Sequence, residues 1–178
     1  MIIRKIFISL FGAFFILLFL TAAADAGRDT ARDLAAAQDR SRSVEERLSA
    51  IRAMGQSGDE GYSEPLLRML KDKGENRRVR TGAVMSLAKL GKPRPKIIEA
   101  YEEVYRDRKT GENLRYAILL SLGTLKATES QTLLSEALSG GDDRIRFKAA
   151  QALGMTGGDD AVNLLVSRLE AERDRMVR

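Results

Sequence analysis

The stretch Arg146-Phe-Lys-Ala-Ala-Gln-Ala-Leu-Gly-Met-Thr-Gly157 returns in outline as Arg80-Thr-Gly-Ala-Val-Met-Ser-Leu-Ala-Lys-Leu-Gly91, 66 residues earlier. Between them stands Arg115-Tyr-Ala-Ile-Leu-Leu-Ser-Leu-Gly-Thr-Leu-Lys126, and upstream Val44-Glu-Glu-Arg-Leu-Ser-Ala-Ile-Arg-Ala-Met-Gly55, so the four starts are 36, 35 and 31 residues apart. A fixed period of this length is the mark of stacked supersecondary units. Within each stretch the apolar residues fall three and four apart: Leu48 and Ile51; Ala83, Val84 and Leu87; Ile118, Leu119 and Leu122; Ala149, Ala150 and Leu153. That spacing makes one face of an amphipathic helix. Gly55, Gly91, Gly123, and Gly154 with Gly157 stand near the ends, where glycine accepts the left-handed conformation that stops a helix.

A second helical pattern follows each first one: Leu66, Leu67 and Leu70; Ile97, Ile98, Tyr101, Val104 and Tyr105; Leu133, Leu134 and Leu138; Val162, Leu165, Val166 and Leu169. Pro65, Pro93 and Pro95 mark the starts of second helices, where a missing N–H is harmless. Ser43 with Glu46 forms a capping box, Asn76 and Asp142 or Asp143 are caps for first helices, and Asp159 or Asp160 is a cap for the last one. A further helix over about 29–39 is expected to close the N-terminal end. Val, Ile and Thr never alternate with period two, so no strands are expected. The expected fold is an all-α solenoid of about four two-helix repeats, at 43–74, 75–111, 112–141 and 142–178, with a capping helix in 27–42. One helix pair cannot bury its apolar stripe alone, but a stack can.

The run R-x-x-A-A-x-A-L-G-x-x-G at Arg146–Gly157 resembles the HEAT repeat, and more closely the short HEAT-like repeats of the phycobilin-lyase type. The resemblance spans about residues 29–178 and implies an armadillo-type fold. It is strongest in the fourth repeat, weaker in the third (Ser121-Leu122-Gly123) and second (Ser86-Leu87-Ala88), and weakest in the first (Ile51-Arg52-Ala53). Ankyrin's T-P-L-H signature is absent, and tetratricopeptide repeats place Leu-Gly inside the first helix rather than at its end. Relatives of this type include metal-dependent enzymes that use His-Glu pairs, and lyases that attach bilins. The first activity cannot carry over to a chain without histidine, and no residue pattern here supports the second. A subunit of an enzyme or cofactor-attachment complex is the alternative the resemblance leaves.

Composition narrows the chemistry. The 178 residues contain no His, Cys or Trp, 44% apolar residues and 6% aromatics. This excludes zinc fingers, haem or iron–sulfur ligation, disulfides and any Ser-His or Cys-His nucleophile pair. Neither a cofactor nor a metal site is expected. Residues 1–26 read as an export signal: Arg4 and Lys5, the apolar run Ile6–Leu20, then Ala24-Asp25-Ala26 before Gly27. An uncleaved inner-membrane anchor is the alternative. Both place residues 27–178 outside the cytoplasm, in a bacterial periplasm or beyond. Removing Arg4, Lys5 and Asp25 lowers the net charge from +5 to +4, spread among mixed signs.

The remaining motifs read as structure. Gly-Gly-Asp-Asp occurs at 140–143 and at 157–160, a helix break followed by an acidic cap. Two carboxylates are too few for calcium, and a phosphate cradle would want a following Lys, Ser or Thr. Arg80, Arg115 and Arg146 recur at one position and are expected to bond carboxylates or helix-end carbonyls near the turns. Arg77, Arg78 and Arg80 form the densest basic cluster, without interleaved aromatics to stack bases, so nucleic acid is not expected as a partner. The expected function is protein binding through the face lined by the second helices. Its candidate residues are Arg68, Lys71, Glu99, Glu102, Glu103, Tyr105, Arg106, Glu136 and Arg168.

Overall fold

In the computed structural model the described residues are 31–92, 94–140 and 142–171. Residues 1–26, expected to be an export signal, lie outside them, as do Pro93 and residues 172–178. Helix α1 covers 31–38. Then follow α2 (Val44–Gln56), α3 (Ser63–Lys71), α4 (Arg77–Leu90), α5 (Arg94–Arg106), α6 (Glu112–Thr124), α7 (Gln131–Leu138), α8 (Asp143–Thr156) and α9 (Asp159–Ala171). No strand occurs among the described residues. The even-numbered helices form one row, each packed on the next, while α3 and α7 lean across onto α4 and α8. The result is the all-α solenoid anticipated from the repeat.

Local signals act where expected. Ser43 accepts from the Glu46 N–H, and the Glu46 carboxylate accepts from the Ser43 N–H at 3.0 Å. Asn76 caps α4 and Asp142 caps α8, through Arg78 N and Ile145 N at 2.8 and 2.9 Å. Asp159 and Asp160 instead occupy the first turn of α9, because the helix begins at Asp159. Pro65 and Pro95 sit in first turns. One continuous core runs through the stack, from Ile51, Leu66 and Leu70 through Leu87, Ile97 and Ile118 to Leu133 and Leu134. Tyr101 is the aromatic at its centre, its hydroxyl donating to Val84 O at 2.5 Å.

The register of the first repeat differs from the alignment that begins at Val44. Arg47, not Val44, is the spatial counterpart of Arg80, Arg115 and Arg146: each is the fourth residue of its first helix. The unit Arg47-Leu-Ser-Ala-Ile-Arg-Ala-Met-Gly-Gln-Ser-Gly58 then matches R-x-x-A-A-x-A-L-G-x-x-G closely, and the starts are 33, 35 and 31 apart. The first repeat is thus a close match rather than the most divergent one.

The same register separates two uses of glycine. Gly55, Gly123 and Gly154, at the ninth position, lie inside their helices and stop nothing. A Cβ on Gly55 would lie 2.7 Å from Ser86 Cα, and one on Gly123 would lie 2.9 Å from Ala152 Cα. Glycine there lets consecutive first helices touch backbone to backbone. The stops belong to the twelfth position, where Gly58, Gly91 and Gly157 have φ of 73°, 66° and 72°. The third repeat holds Lys126 there, at φ 50°. A side chain in this conformation costs about 1 kcal/mol. Lys126→Gly is therefore expected to stabilise the protein by about 0.5 kcal/mol after glycine's larger chain entropy is deducted, read as a higher urea midpoint.

The last repeat is less enclosed than its pattern suggests. Of α9 only Ala161 is fully buried, and Leu164 and Leu165 are partly so. Val162, Val166 and Leu169 are more than half exposed, because no further repeat among the described residues lies against them.

Candidate functional site

The second-helix surface holds most of the expected partner-binding residues, and it ties repeats together. Lys71 pairs with Glu103 at 2.5 Å, joining α3 to α5. Arg106 pairs with Glu102 at 2.9 Å and approaches Glu136 of α7 at 3.9 Å. Glu102 also accepts from Ser130 Oγ at 2.7 Å. Arg68 and Glu99 are exposed, and Arg168 is half-buried on α9. Tyr105 is half-buried beneath the Arg115 guanidinium, 5.8 Å from its ring centroid. The structure thus joins Lys71 of α3 to Glu103 of α5 and brings Arg106 of α5 within ion-pair reach of Glu136 of α7, while Glu102 pairs with Arg106 along α5 itself.

The recurring arginines do what their position suggested, with a fourth member added. Arg47 Nε donates to Ala37 O at 2.9 Å, and Arg80 Nε to Leu70 O at 2.9 Å. Arg115 Nη2 donates to Asp107 O at 3.1 Å, and Arg146 Nη1 to Gly140 O at 3.2 Å. Each cation meets carbonyls at the end of the preceding helix, where the helix dipole favours positive charge. Arg47 adds a carboxylate: Nη1 and Nη2 donate to the two oxygens of Glu75 at 2.9 and 2.7 Å, with both side chains about 95% buried. The Arg47 guanidinium holds the Glu75 carboxyl below the usual range. Residue-by-residue reading missed this pair. The signal that could have found it is Arg47 standing eight residues before Gly55, as Arg115 stands before Gly123 and Arg146 before Gly154.

On the other side of the molecule, the first helices and the α3–α4 and α5–α6 turns enclose a groove of about 940 Å³. It opens beside α4 and α6, which pack less extensively than α2 with α4 or α6 with α8. The ninth-position residue of α4 is Ala88 rather than glycine, which has a Cβ where Gly55 and Gly123 have none. Leu48, Met85 and Leu114 supply apolar surface, and Met85 is 57% exposed. Seven cations and four carboxylates line the groove. Three of the carboxylates are engaged: Glu45 by Arg78 at 2.6 Å, Glu75 by Arg47, and Asp107 by Lys73 at 2.7 Å. Hydrogen bonds from these cations hold all three carboxyls below the usual range, so they stay ionised near neutrality and none is poised as a proton donor. Burial lowers the Arg80 guanidinium from its ordinary value. Arg52, Arg77, Lys89 and Lys109 make no ion pair with a carboxylate among the described residues, although Lys109 adds a second positive charge near Asp107. At one end the groove meets the N-terminus of α6, whose cap position is Gly111 and so offers no side-chain acceptor. The basic cluster Arg77, Arg78 and Arg80 seen in the sequence forms part of this wall.

Among the described residues no group of three or more carboxylates could hold a metal ion, and no helix is long and apolar enough to cross a membrane. A family model described as HEAT repeats matches residues 31–111 and again 98–178. No curated protein matches the chain.

Proposed function

Since the chain belongs to the HEAT-repeat family, we propose that it is a protein-binding scaffold that acts outside the cytoplasm and catalyses no reaction. HEAT solenoids work by presenting an extended surface set by the stacking of their repeats. The observation that carries the reading is the groove on the first-helix side, which leaves Met85 uncovered beside four cations, Arg52, Arg77, Lys89 and Lys109, that make no ion pair among the described residues. The second-helix surface is the other candidate. Its ion pairs already serve contacts between α3, α5 and α7, which favours the groove as the surface left for a partner. Three of the four carboxylates of the groove, Glu45, Glu75 and Asp107, are committed to cations and held ionised, which argues against general acid catalysis by them.

The test is site-specific photo-crosslinking in the producing cell, with a photoreactive residue placed in turn at Met85 and at Glu99. A discrete cross-linked protein at either position is expected. Absence of any cross-link at both would overturn the scaffold reading.

Placement outside the cytoplasm rests on residues 1–26, with Arg4 and Lys5 ahead of an apolar run and Ala24-Asp25-Ala26 behind it. N-terminal sequencing of the protein recovered from the envelope or medium is expected to begin at Gly27 or Asp25. An intact Met1 in the membrane fraction would indicate the anchored form, and recovery only from cytosol would overturn the placement.

A further inference from the structure

We propose that the first-helix groove takes an acidic segment of the partner protein, which anchors an apolar side chain on Met85. The inference rests on the protein-binding reading and adds the chemistry of the partner. Its first support is the position of Met85. Outside the terminal helices α8 and α9, it is the only large hydrophobic residue exposed among those described. The other five are Phe147 and Met155 on α8 and Val162, Val166 and Leu169 on α9. In each repeat the sixth residue of the unit points away from the core, and the others there are Arg52, Leu120 and Gln151. Leu48 and Leu114 line the same groove and add to its apolar surface.

The second support is charge. Arg52, Arg77, Lys89 and Lys109 line the groove without an ion pair of their own among the described residues, whereas three of the four lining carboxylates are already neutralised. Only Glu112 opposes them, and its carboxylate accepts from the Tyr116 hydroxyl at 3.2 Å. A ligand bearing carboxylates therefore meets uncompensated positive charge along its length, and a basic ligand meets repulsion. The free N–H groups at the start of α6 add to the attraction at one end. Nucleic acid would satisfy the cations but leave the apolar floor unused, and no aromatic ring lines the groove to stack a base. An acidic peptide with one large apolar residue satisfies both features. A volume near 940 Å³ matches a short extended segment rather than a folded domain.

The experiment uses fluorescence anisotropy with the purified protein and four labelled probes. These are a short Glu/Asp-rich peptide carrying a Leu-Phe pair, the same peptide with Lys for its acids, the same with Ser-Ser for Leu-Phe, and a single-stranded DNA. The acidic Leu-Phe peptide is expected to bind at least about tenfold more tightly than the other three, as one good anchor residue would confer. Its affinity should fall as salt rises from about 0.05 to 0.5 M, as expected for pairing that depends on unscreened charge. Met85→Asp, and Lys89→Glu combined with Lys109→Glu, should each weaken it by at least about tenfold while leaving the circular dichroism spectrum unchanged. Lys71→Glu, on the second-helix surface, should leave it unaltered. Equal binding of the Lys or Ser-Ser peptide, tighter binding of DNA, or full affinity in the groove variants would overturn the proposal. The photo-crosslinks separate this failure from that of the scaffold reading. A cross-link at Glu99 with none at Met85 overturns the groove inference alone.

Discussion

Replacing Glu75 by Gln is expected to cost about 3 kcal/mol of stability, the typical cost of breaking a buried ion pair. Arg47 and Glu75 share two short hydrogen bonds, and each side chain retains only about a twentieth of its exposure. Gln keeps the size of the side chain but loses the charge and one acceptor, leaving the buried guanidinium beside Ala37 O with one of its three hydrogen bonds lost and no countercharge within its bidentate pair. Arg40, 3.8 Å from Glu75 and mostly exposed, can turn to water and adds little. For a chain of this length the loss should lower Tm by about 10 °C. The double variant Arg47→Met with Glu75→Leu should recover more than half of the loss, since a packed apolar pair avoids the desolvation of both charges. The pH dependence follows in sign. Arg47 depresses the Glu75 carboxyl in the folded protein. Its contribution is therefore fully present above the unfolded carboxylate value of about 4.3 and fades as pH falls through the lower folded value. Urea unfolding at neutral pH and at about pH 3 should show a shallower acid loss for Glu75→Gln than for the natural protein. A loss below about 1 kcal/mol at neutral pH would mean that the pair contributes no more than a surface salt bridge.

Alanine at the ninth position of the repeat is expected to have opposite effects at the two ends of the molecule. In Gly55→Ala the new Cβ would lie 2.6 Å from Ser86 Cβ and 2.7 Å from Ser86 Cα. The obstruction is partly backbone, so α2 and α4 must separate, and overpacking of this kind costs about 1–3 kcal/mol. Separation would also stretch the Ser86 Oγ to Ile51 O hydrogen bond, now 2.8 Å. The gain in helix propensity, about 0.5–1 kcal/mol, offsets only part of this. Gly123→Ala, facing Ala152 Cα at 2.9 Å, should behave likewise. Gly154 occupies the equivalent place in α8, and nothing lies within 4 Å of its would-be Cβ. Gly154→Ala should therefore raise stability by about 0.5 kcal/mol through propensity alone. Thermal unfolding of the three variants checks this, and a shift of the same sign at Gly55 and Gly154 would refute the backbone-contact account.

These two cases show how much could be read from the chain alone. The helix pairs, the N-caps at Ser43, Asn76 and Asp142 and the aliphatic core are legible because their causes act within one or two turns. The placing of Arg80, Arg115 and Arg146 at helix-end carbonyls is legible for the same reason, since the partners lie within ten residues. The Arg47–Glu75 pair spans 28 residues and is hidden by an alignment that begins at Val44. The role of Gly55 is equally hidden: near a helix end it reads as a stop, and only the neighbouring helix shows it to be a contact. The candidate residues on the second helices could be located on the correct elements. That Lys71, Glu103, Arg106 and Glu136 spend their charges on one another depends on distances between helices about 30 residues apart, which no local pattern encodes.

The sequence by itself determined the architecture. A period near 33 residues, amphipathic spacing and an absence of His and Cys admit little besides a stacked helical scaffold without metal-thiolate or imidazole chemistry. The tertiary structure decided where that scaffold is open. Glycine at position 55 or 123 closes neighbouring first helices onto each other, and alanine at position 88 leaves α4 and α6 less closely joined, beside the groove that holds Met85 and the unpaired cations. The physical reason is that helix formation depends on neighbours along the chain, whereas the gap between two helices depends on the single atoms that meet across it.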